Sequence, residues 1–219
     1  IPIRAELLIL GRDLTLLEYN NCRYHISQIS SASSVEIIRE RKSKVNFSCG
    51  VSINNLSLNE NDIGDFKTFL KLSPPLRTED DRNALVQGLV DETIDVIVSD
   101  HKPEDEENKR LTFAQAETGA SGIETLLPLS LELYHNGSVK LETIIKALTS
   151  SPAKILKINK GNLSIGNDAD FCIVDINKPW VVRKEKLISK SKNTPIEDKK
   201  LQGKVMNTFV NGEELFKAE

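Results

Sequence analysis

A short apolar run that ends in two polar residues limits the folds open to this chain. Residues 94–98 read Ile-Asp-Val-Ile-Val, and Ser99, Asp100 and His101 follow before a Lys-Pro pair. A run of mostly β-branched apolar residues is typical of a buried strand in a parallel sheet. In α/β barrels the carboxyl ends of such strands carry the chemistry, so Asp100 is a candidate base or metal ligand. The alternative from this segment alone is that Asp100 caps a turn.

Strand-like and helix-like segments alternate in the first part of the chain. Strand patterns cover residues 23–29, 45–51 and 94–98, and helical patterns lie between them at residues 33–40 and 78–90. The first helix follows a serine cap, and the second opens with a threonine and three acidic residues in capping-box style. Strand, helix, strand, helix, strand at this spacing predicts a parallel sheet.

Three further helices are predicted after this sheet, each from a cap or a stop signal. The first starts near Gly122 and stops at Asn136-Gly137. The second starts at the cap Ser138 and ends at Leu148. The third starts at the cap Ser151, with Pro152 in the first helical position.

The pattern changes to β-rich from residue 161. A strand is predicted at residues 169–175 and a hairpin at residues 205–216, around Asn211-Gly212. The Lys-rich residues 184–200 between them are expected to form a surface loop. We therefore predict an α/β barrel part over residues 1–160 and a small β appendage over residues 161–219.

Composition excludes several classes of partner. The chain has 219 residues, 39% of them hydrophobic, and a net charge of −3, which gives no reason to expect a nucleic acid or an anionic membrane as partner. No apolar run approaches the roughly 18 residues of a membrane span, and no signal-peptide pattern opens the chain. Three widely spaced cysteines favour a reduced, cytoplasmic protein. The Ile-Pro-Ile start, without Met, allows for processing or truncation.

Several motifs in a fixed order carry a family resemblance over nearly the whole chain. They occupy residues 71–82, which include Pro74-Pro75-Leu76-Arg77, and residues 91–101, 122–125 and 166–170. Together they resemble the C-terminal half of the dihydroorotases of the amidohydrolase superfamily. The resemblance implies part of a metal-dependent (β/α)8 TIM-like barrel with a small β-sandwich, zinc as cofactor, and reversible closure of carbamoyl-aspartate to dihydroorotate.

The resemblance assigns roles to individual residues. Asp100 matches the aspartate that binds metal and handles the proton of the attacking hydroxide, at the end of the eighth strand. Arg77 and Gly119 match substrate-binding positions, although Arg77 could simply anchor its loop. Ser73 and Glu104 stand at two further substrate-contact positions, where the family has asparagine and histidine.

Further departures from the family pattern affect the metal ligands and the rest of the site. Gln28 stands where the family's sixth strand has a ligand histidine, and a neutral carboxamide is a poor substitute for imidazole on zinc. Ile53-Asn54-Asn55 replaces the family's Pro-His-His. The His-x-His of the first strand occurs nowhere in this chain. A carboxylate at Glu104 would repel a dianionic substrate.

Two histidines and one acidic segment keep alternative interpretations. His25 is either a packed, hydrogen-bonded core histidine, which we favour, or part of a metal pair with Cys22. His101 is interpreted as structural, orienting its loop. Residues 104–110 are most simply a solvated loop, with a lid over the substrate as the alternative.

Three hypotheses follow. The chain is the C-terminal part of a dihydroorotase-like barrel, strands six to eight, and the missing N-terminal half either exists as another segment or has been lost. By resemblance to homologues that lack ligand histidines, the protein is a non-catalytic partner of aspartate transcarbamoylase, without bound metal. The alternative is an active, zinc-dependent dihydroorotase that acts on a small molecule.

Overall fold

Three parallel strands form the first sheet of the computed structural model, which describes residues 1–20 and 22–218. These strands are β1 (His25–Ile29), β2 (Ser48–Ser52) and β3 (Val96–Val98), in the order β1-β2-β3. Ile26 lies opposite Cys49, and Val51 lies opposite Ile97. The predicted parallel sheet is therefore confirmed, with its three carboxyl ends at one edge.

The helices around this sheet follow from local sequence. In α2 (Ala32–Lys42) the cap Ser31 accepts a hydrogen bond from the Ser34 N–H. A short helix, α3 (Ile53–Ser57), follows β2 directly. The predicted capping box of α4 (Glu79–Val90) is confirmed, because Thr78 and Asp81 bond each other's backbone N–H.

The N-terminal helix α1 (Ile3–Tyr19) is absent from the sequence-based prediction. Its buried residues are Leu10, Leu14 and Leu17, and this spacing places them on one helical face. That periodicity is the signal that could have identified the helix.

Four helices follow β3: α5 (Glu106–Lys109), α6 (Leu126–His135), α7 (Leu141–Leu148) and α8 (Ser150–Leu156). The short helix α5 lies in the segment predicted as a loop, and the predicted starts of the other three helices are wrong in detail. Ser138 does not cap α7, because its N–H bonds the Asn136 side chain and the Leu133 carbonyl in the turn after α6. α8 begins at Ser150, so Pro152 is its third residue rather than its first. Residues 122–125 form a turn before α6, closed by the Thr125 N–H on the Gly122 carbonyl.

A second, antiparallel sheet makes up the appendage. Its strands are β4 (Phe171–Val181), β5 (Lys200–Val210) and β6 (Glu213–Lys217). Asn211 and Gly212 join β5 to β6 with φ values of 52° and 82°, the positive values that a tight hairpin turn requires. The predicted hairpin is confirmed.

Two segments predicted as solvated are partly buried. In the loop over residues 184–200, Leu187, Asn193 and Ile196 are buried, and Lys109 is only 2% exposed within the acidic segment. Both predictions are wrong at these residues because the polar sequence around them gives no sign of the contacts that they make with distant parts of the chain.

One apolar cluster contains residues of both sheets, including Val51 of β2 and Leu201 of β5, together with Leu129 of α6. The division at residue 160 stays a prediction. No helix among the described residues has the length and apolarity to cross a membrane.

Candidate functional site

The carboxyl ends of the three parallel strands bring three polar side chains together. Asp100 follows β3 by two residues. The Gln28 Nε2 of β1 donates to its Oδ1 at 3.1 Å, and the Ser52 Oγ at the end of β2 donates to its Oδ2 at 3.4 Å. Parallel pairing sends successive strands toward the same edge, which explains why residues 72 positions apart in sequence meet here.

Asp100 has an unusual backbone and an unusual charge environment. Its φ of 48° lies in the left-handed region, which costs a non-glycine residue roughly 1 kcal/mol and is enriched at functional sites. Burial raises the pKa of the Asp100 carboxyl, against the opposing effects of the Gln28 and Ser52 hydrogen bonds and the Lys102 charge. This half-buried carboxylate is therefore a better proton acceptor than an exposed one.

His101 supports the neighbouring loop. Its Nδ1 accepts the N–H of Gly122 at 3.2 Å and of Ile123 at 3.4 Å, so the ring proton resides on Nε2. Its backbone pairs with Ala120 in a parallel bridge. These contacts agree with the structural interpretation of His101.

Two buried amides follow β2 at the same edge. Asn54 and Asn55 are 1% and 2% exposed, and the Asn55 Nδ2 donates to the Pro75 carbonyl at 3.0 Å. Within the described residues, the Asn54 Nδ2 and the Asn55 Oδ1 have no hydrogen-bond partner. Leaving buried amide atoms unpaired is costly in a protein interior. The sequence identified these positions only as departures from a family pattern.

Among the described residues, neither Arg77 nor Ser73 forms a hydrogen bond with the Asp100 cluster. The Arg77 Nε donates to the Ser30 Oγ at 3.1 Å and one terminal nitrogen donates to the Ile1 carbonyl at 2.6 Å. These are the contacts of a loop anchor, the alternative left open for this residue. Ser73 is exposed.

Glu104 and Gly119, the other two candidate substrate-contact residues, share a neighbour. The Asn193 Oδ1 accepts the Glu104 N–H at 3.3 Å, and the Asn193 Nδ2 donates to the Gly119 carbonyl at 3.1 Å. The Glu104 carboxylate lies 3.5 Å from the Lys102 Nζ. Gly119 has a φ of 139°, and a Cβ there would lie 2.6 Å from the Lys102 carbonyl oxygen, so only glycine fits. Asn193 was missed from the sequence because its loop looks solvated.

The donors at this edge do not by themselves fit zinc. Zinc sites use three or four cysteine, histidine or carboxylate ligands, whereas the Asp100 cluster offers one carboxylate, one carboxamide and one hydroxyl. His25 lies at the opposite, amino end of β1, where its Nδ1 is 2.7 Å from the Ser48 Oγ. Cys22 is exposed. In the described part of the chain, no group of three or more His, Cys, Asp or Glu side chains is placed to hold a metal.

The described structure is thus an α/β arrangement with a carboxylate at the carboxyl edge of its parallel sheet and an antiparallel appendage. The chain belongs to the amidohydrolase family, whose model matches residues 3–215. It is similar to the dihydroorotase of Ehrlichia chaffeensis, with 41% identity over 100% of this chain and 49% of that protein. The dihydroorotase of Acetivibrio thermocellus is 40% identical over 97% of this chain and 50% of that protein.

A solved structure shows the same fold. The L-hydantoinase (dihydropyrimidinase) from Arthrobacter aurescens superimposes with a TM-score of 0.94 and 27% identity, over 99% of this chain and 49% of that one. The chain spans about half the length of the curated relatives it matches. The predicted resemblance to dihydroorotases and the predicted α/β fold, part of a TIM-like hydrolase barrel with a β appendage, are confirmed.

Proposed function

We propose that this chain is the C-terminal part of a dihydroorotase-like protein of pyrimidine biosynthesis with a degenerate metal site, acting as a non-catalytic partner of aspartate transcarbamoylase. The observation that carries the proposal is the hydrogen bond from the Gln28 Nε2 to the Asp100 Oδ1, 3.1 Å long. By resemblance, both positions are metal-ligand positions. Here an amide N–H donates to the carboxylate, at a position where the family, by resemblance, has a ligand histidine.

The residues near Gln28 and Asp100 support a loss of the metal site rather than a shift of the metal to neighbouring ligands. The amides of Asn54 and Asn55 are uncharged and lie buried at the next strand end. A carboxamide oxygen is a weak ligand for zinc compared with imidazole. The fold-forming features remain intact, including the capping box of α4 and the glycine required at position 119. Intact folding signals around an altered site are expected when the surface, not the chemistry, is retained.

The missing strands belong to the same proposal. A three-stranded parallel sheet leaves two open edges, and barrel closure removes such edges. We propose that an N-terminal half supplies the remaining strands, in line with the half-length match to relatives. A cytoplasmic location is part of this proposal and rests on the three separate free cysteines.

The decisive experiment uses the full-length protein. Metal content by mass spectrometry, turnover of dihydroorotate and co-purification with aspartate transcarbamoylase are measured for the native protein and for Gln28→His. We expect little metal and no turnover in the native protein, a stable complex with the transcarbamoylase, and more bound metal in Gln28→His. Stoichiometric metal with robust turnover in the native protein would overturn the degenerate-site proposal. Separate elution of the two proteins would overturn the partner role.

The second candidate is an active dihydroorotase. It is favoured by Asp100 itself, since a half-buried carboxylate with a raised pKa can act as the general base in the hydrolysis of an amide. The names of the relatives favour it as well. This candidate requires turnover that Asp100→Asn abolishes and that Asp105→Asn, an exposed neighbour, leaves unchanged. Equal activity in native protein and Asp100→Asn would exclude it.

A further inference from the structure

A buried lysine holds the segment that follows Asp100. Lys109 is 2% exposed, and its Nζ donates to the carbonyls of Glu117 at 2.6 Å, Thr68 at 3.3 Å and Lys71 at 3.5 Å. An ammonium has three N–H donors, so these carbonyls use all of them. Burying a charge is costly unless it is fully hydrogen-bonded, which makes this arrangement specific rather than incidental.

A second lysine makes the reciprocal connection. The Lys71 Nζ donates to the carbonyls of Ala114 at 2.9 Å and Ala116 at 2.6 Å, and the Lys71 carbonyl accepts the Gly119 N–H at 3.0 Å. The Thr68 hydroxyl also donates to the Lys109 carbonyl. Residues 104–119 and residues 68–71 are therefore joined in both directions.

The loop over residues 184–200 of the appendage contacts the same segment. Asn193 is 2% exposed and belongs to the loop over residues 184–200. Its side chain bonds the backbone of Glu104 and Gly119, the two ends of the segment, and accepts the Ser121 hydroxyl at 3.0 Å. The Ser121 N–H in turn donates to the Asn193 carbonyl at 3.2 Å.

We infer that Lys109 and Asn193 form a clamp that fixes residues 104–119 beside the carboxyl edge of the parallel sheet, and we call this fixed segment the wall. Because Asn193 belongs to the loop over residues 184–200, that loop limits the motion of the wall. A mobile lid would have few buried contacts and solvated backbone bonds. This wall has a buried ammonium at one contact and a buried amide at another. Its relevance to a substrate rests on the second candidate function, the active dihydroorotase, whereas the clamp itself rests on neither function.

Hydrogen exchange of the full-length protein, without substrate, tests the clamp. In Lys109→Met, the amides of Glu117 and Gly119 should exchange at least about tenfold faster, because their segment loses its buried donors. In Asn193→Ala, the Glu104 amide should lose its protection. Asn193→Asp keeps the acceptor oxygen, so the Glu104 amide should stay protected there. The controls are the exposed residues Lys190 and Asn177, as Lys190→Met and Asn177→Ala.

Exchange in β1 and β3 is the internal reference and should remain unchanged. Native-like exchange of residues 104–119 in both Lys109→Met and Asn193→Ala would overturn the clamp, as would equal acceleration of the reference strands. A failure of the proposed function would appear instead as metal binding and turnover, which this measurement does not use.

Discussion

Glu6 is a single carboxylate that joins α1 to the carboxyl end of β1. It accepts the Ser30 N–H at 2.9 Å, the Ser34 Oγ at 2.5 Å and the Ser30 hydroxyl, and its Oε2 lies 3.9 Å from an Arg77 nitrogen. Ser30 and Ser34 are completely buried. Removing the acceptor would leave buried donors unpaired, which is expensive in a protein interior.

We expect Glu6→Ala to lower the free energy of unfolding by about 3 kcal/mol, because several buried donors lose their acceptor together. Glu6→Gln keeps one oxygen and should cost less. Urea unfolding of the full-length protein measures both. The control is Glu36→Ala, at an exposed position of α2, with an expected change within about 0.5 kcal/mol. Equal losses for Glu6→Ala and Glu36→Ala would contradict the assignment.

Asp81 joins two helices. It closes the capping box of α4 with Thr78, is 6% exposed, and also accepts the Ala32 N–H at the start of α2, at 2.8 Å. The cap is therefore both a local and a long-range contact. Thr78→Ala should remove only the cap and lower stability by about 1 kcal/mol.

Asp81→Ala should lower stability by about 2–4 kcal/mol, since the Ala32 N–H and the Thr78 hydroxyl then lack an acceptor. Asp80→Ala is the matched control, because Asp80 is exposed in the same helical turn. Thermal unfolding compares the three variants. A loss for Asp81→Ala no larger than that of Thr78→Ala would show that the bond to α2 contributes nothing.

The clamp at Lys109 has a signature in the pH dependence of stability. Burial lowers the pKa of Lys109 to about 8, against a reference value of 10.5. Between these values the unfolded chain binds a proton that the folded chain has released. Stability from this group therefore rises with pH between about 8 and 10.5, by about 3 kcal/mol at most.

Lys109→Met should abolish this rise. The measurement is the difference in unfolding free energy between native protein and Lys109→Met, followed from pH 7 to 10.5. The difference is needed because burial raises the pKa of the Cys49 thiol and of the Tyr24 phenol, which lowers stability with pH equally in both proteins. A pH-independent difference would mean that Lys109 titrates as an exposed lysine.

At the scale of the whole molecule, β5 of the appendage packs on α6. Gly203 has a φ of 104°, and a Cβ there would collide with the Cδ1 of Leu131 on α6. Its carbonyl also accepts the Trp180 Nε1–H at 3.1 Å. Leu131 is completely buried, so it has little room to move.

We expect Gly203→Ala to destabilise the full-length protein by at least about 2 kcal/mol, from overpacking added to backbone strain. Gly137→Ala is the matched control: its φ of 76° is also positive, but no atom lies within 4 Å of the added Cβ, so it should cost about 1 kcal/mol. Calorimetry should give one cooperative transition in each protein. Separate transitions for the barrel part and the appendage would instead favour two independent units, divided near residue 160.

Local signals in the sequence were sufficient for much of this architecture. Hydrophobic periodicity predicts the parallel strands, the Thr78 capping box predicts the start of α4, and Asn211-Gly212 predicts the hairpin. Each signal depends on residues within a few positions of one another, so one sequence carries it. Asp100 was found for the same reason, because it ends a buried strand.

Only the tertiary structure decided what surrounds Asp100 and the segment after it. The Gln28–Asp100 bond joins residues 72 positions apart, and the Asn193 bond to Glu104 joins residues 89 positions apart. Lys109 and Asn193 are polar residues in polar segments, so composition predicts exposure for both. They are buried because backbone carbonyls and N–H groups from distant loops satisfy them, and a hydrogen-bond partner far along the chain leaves no local pattern.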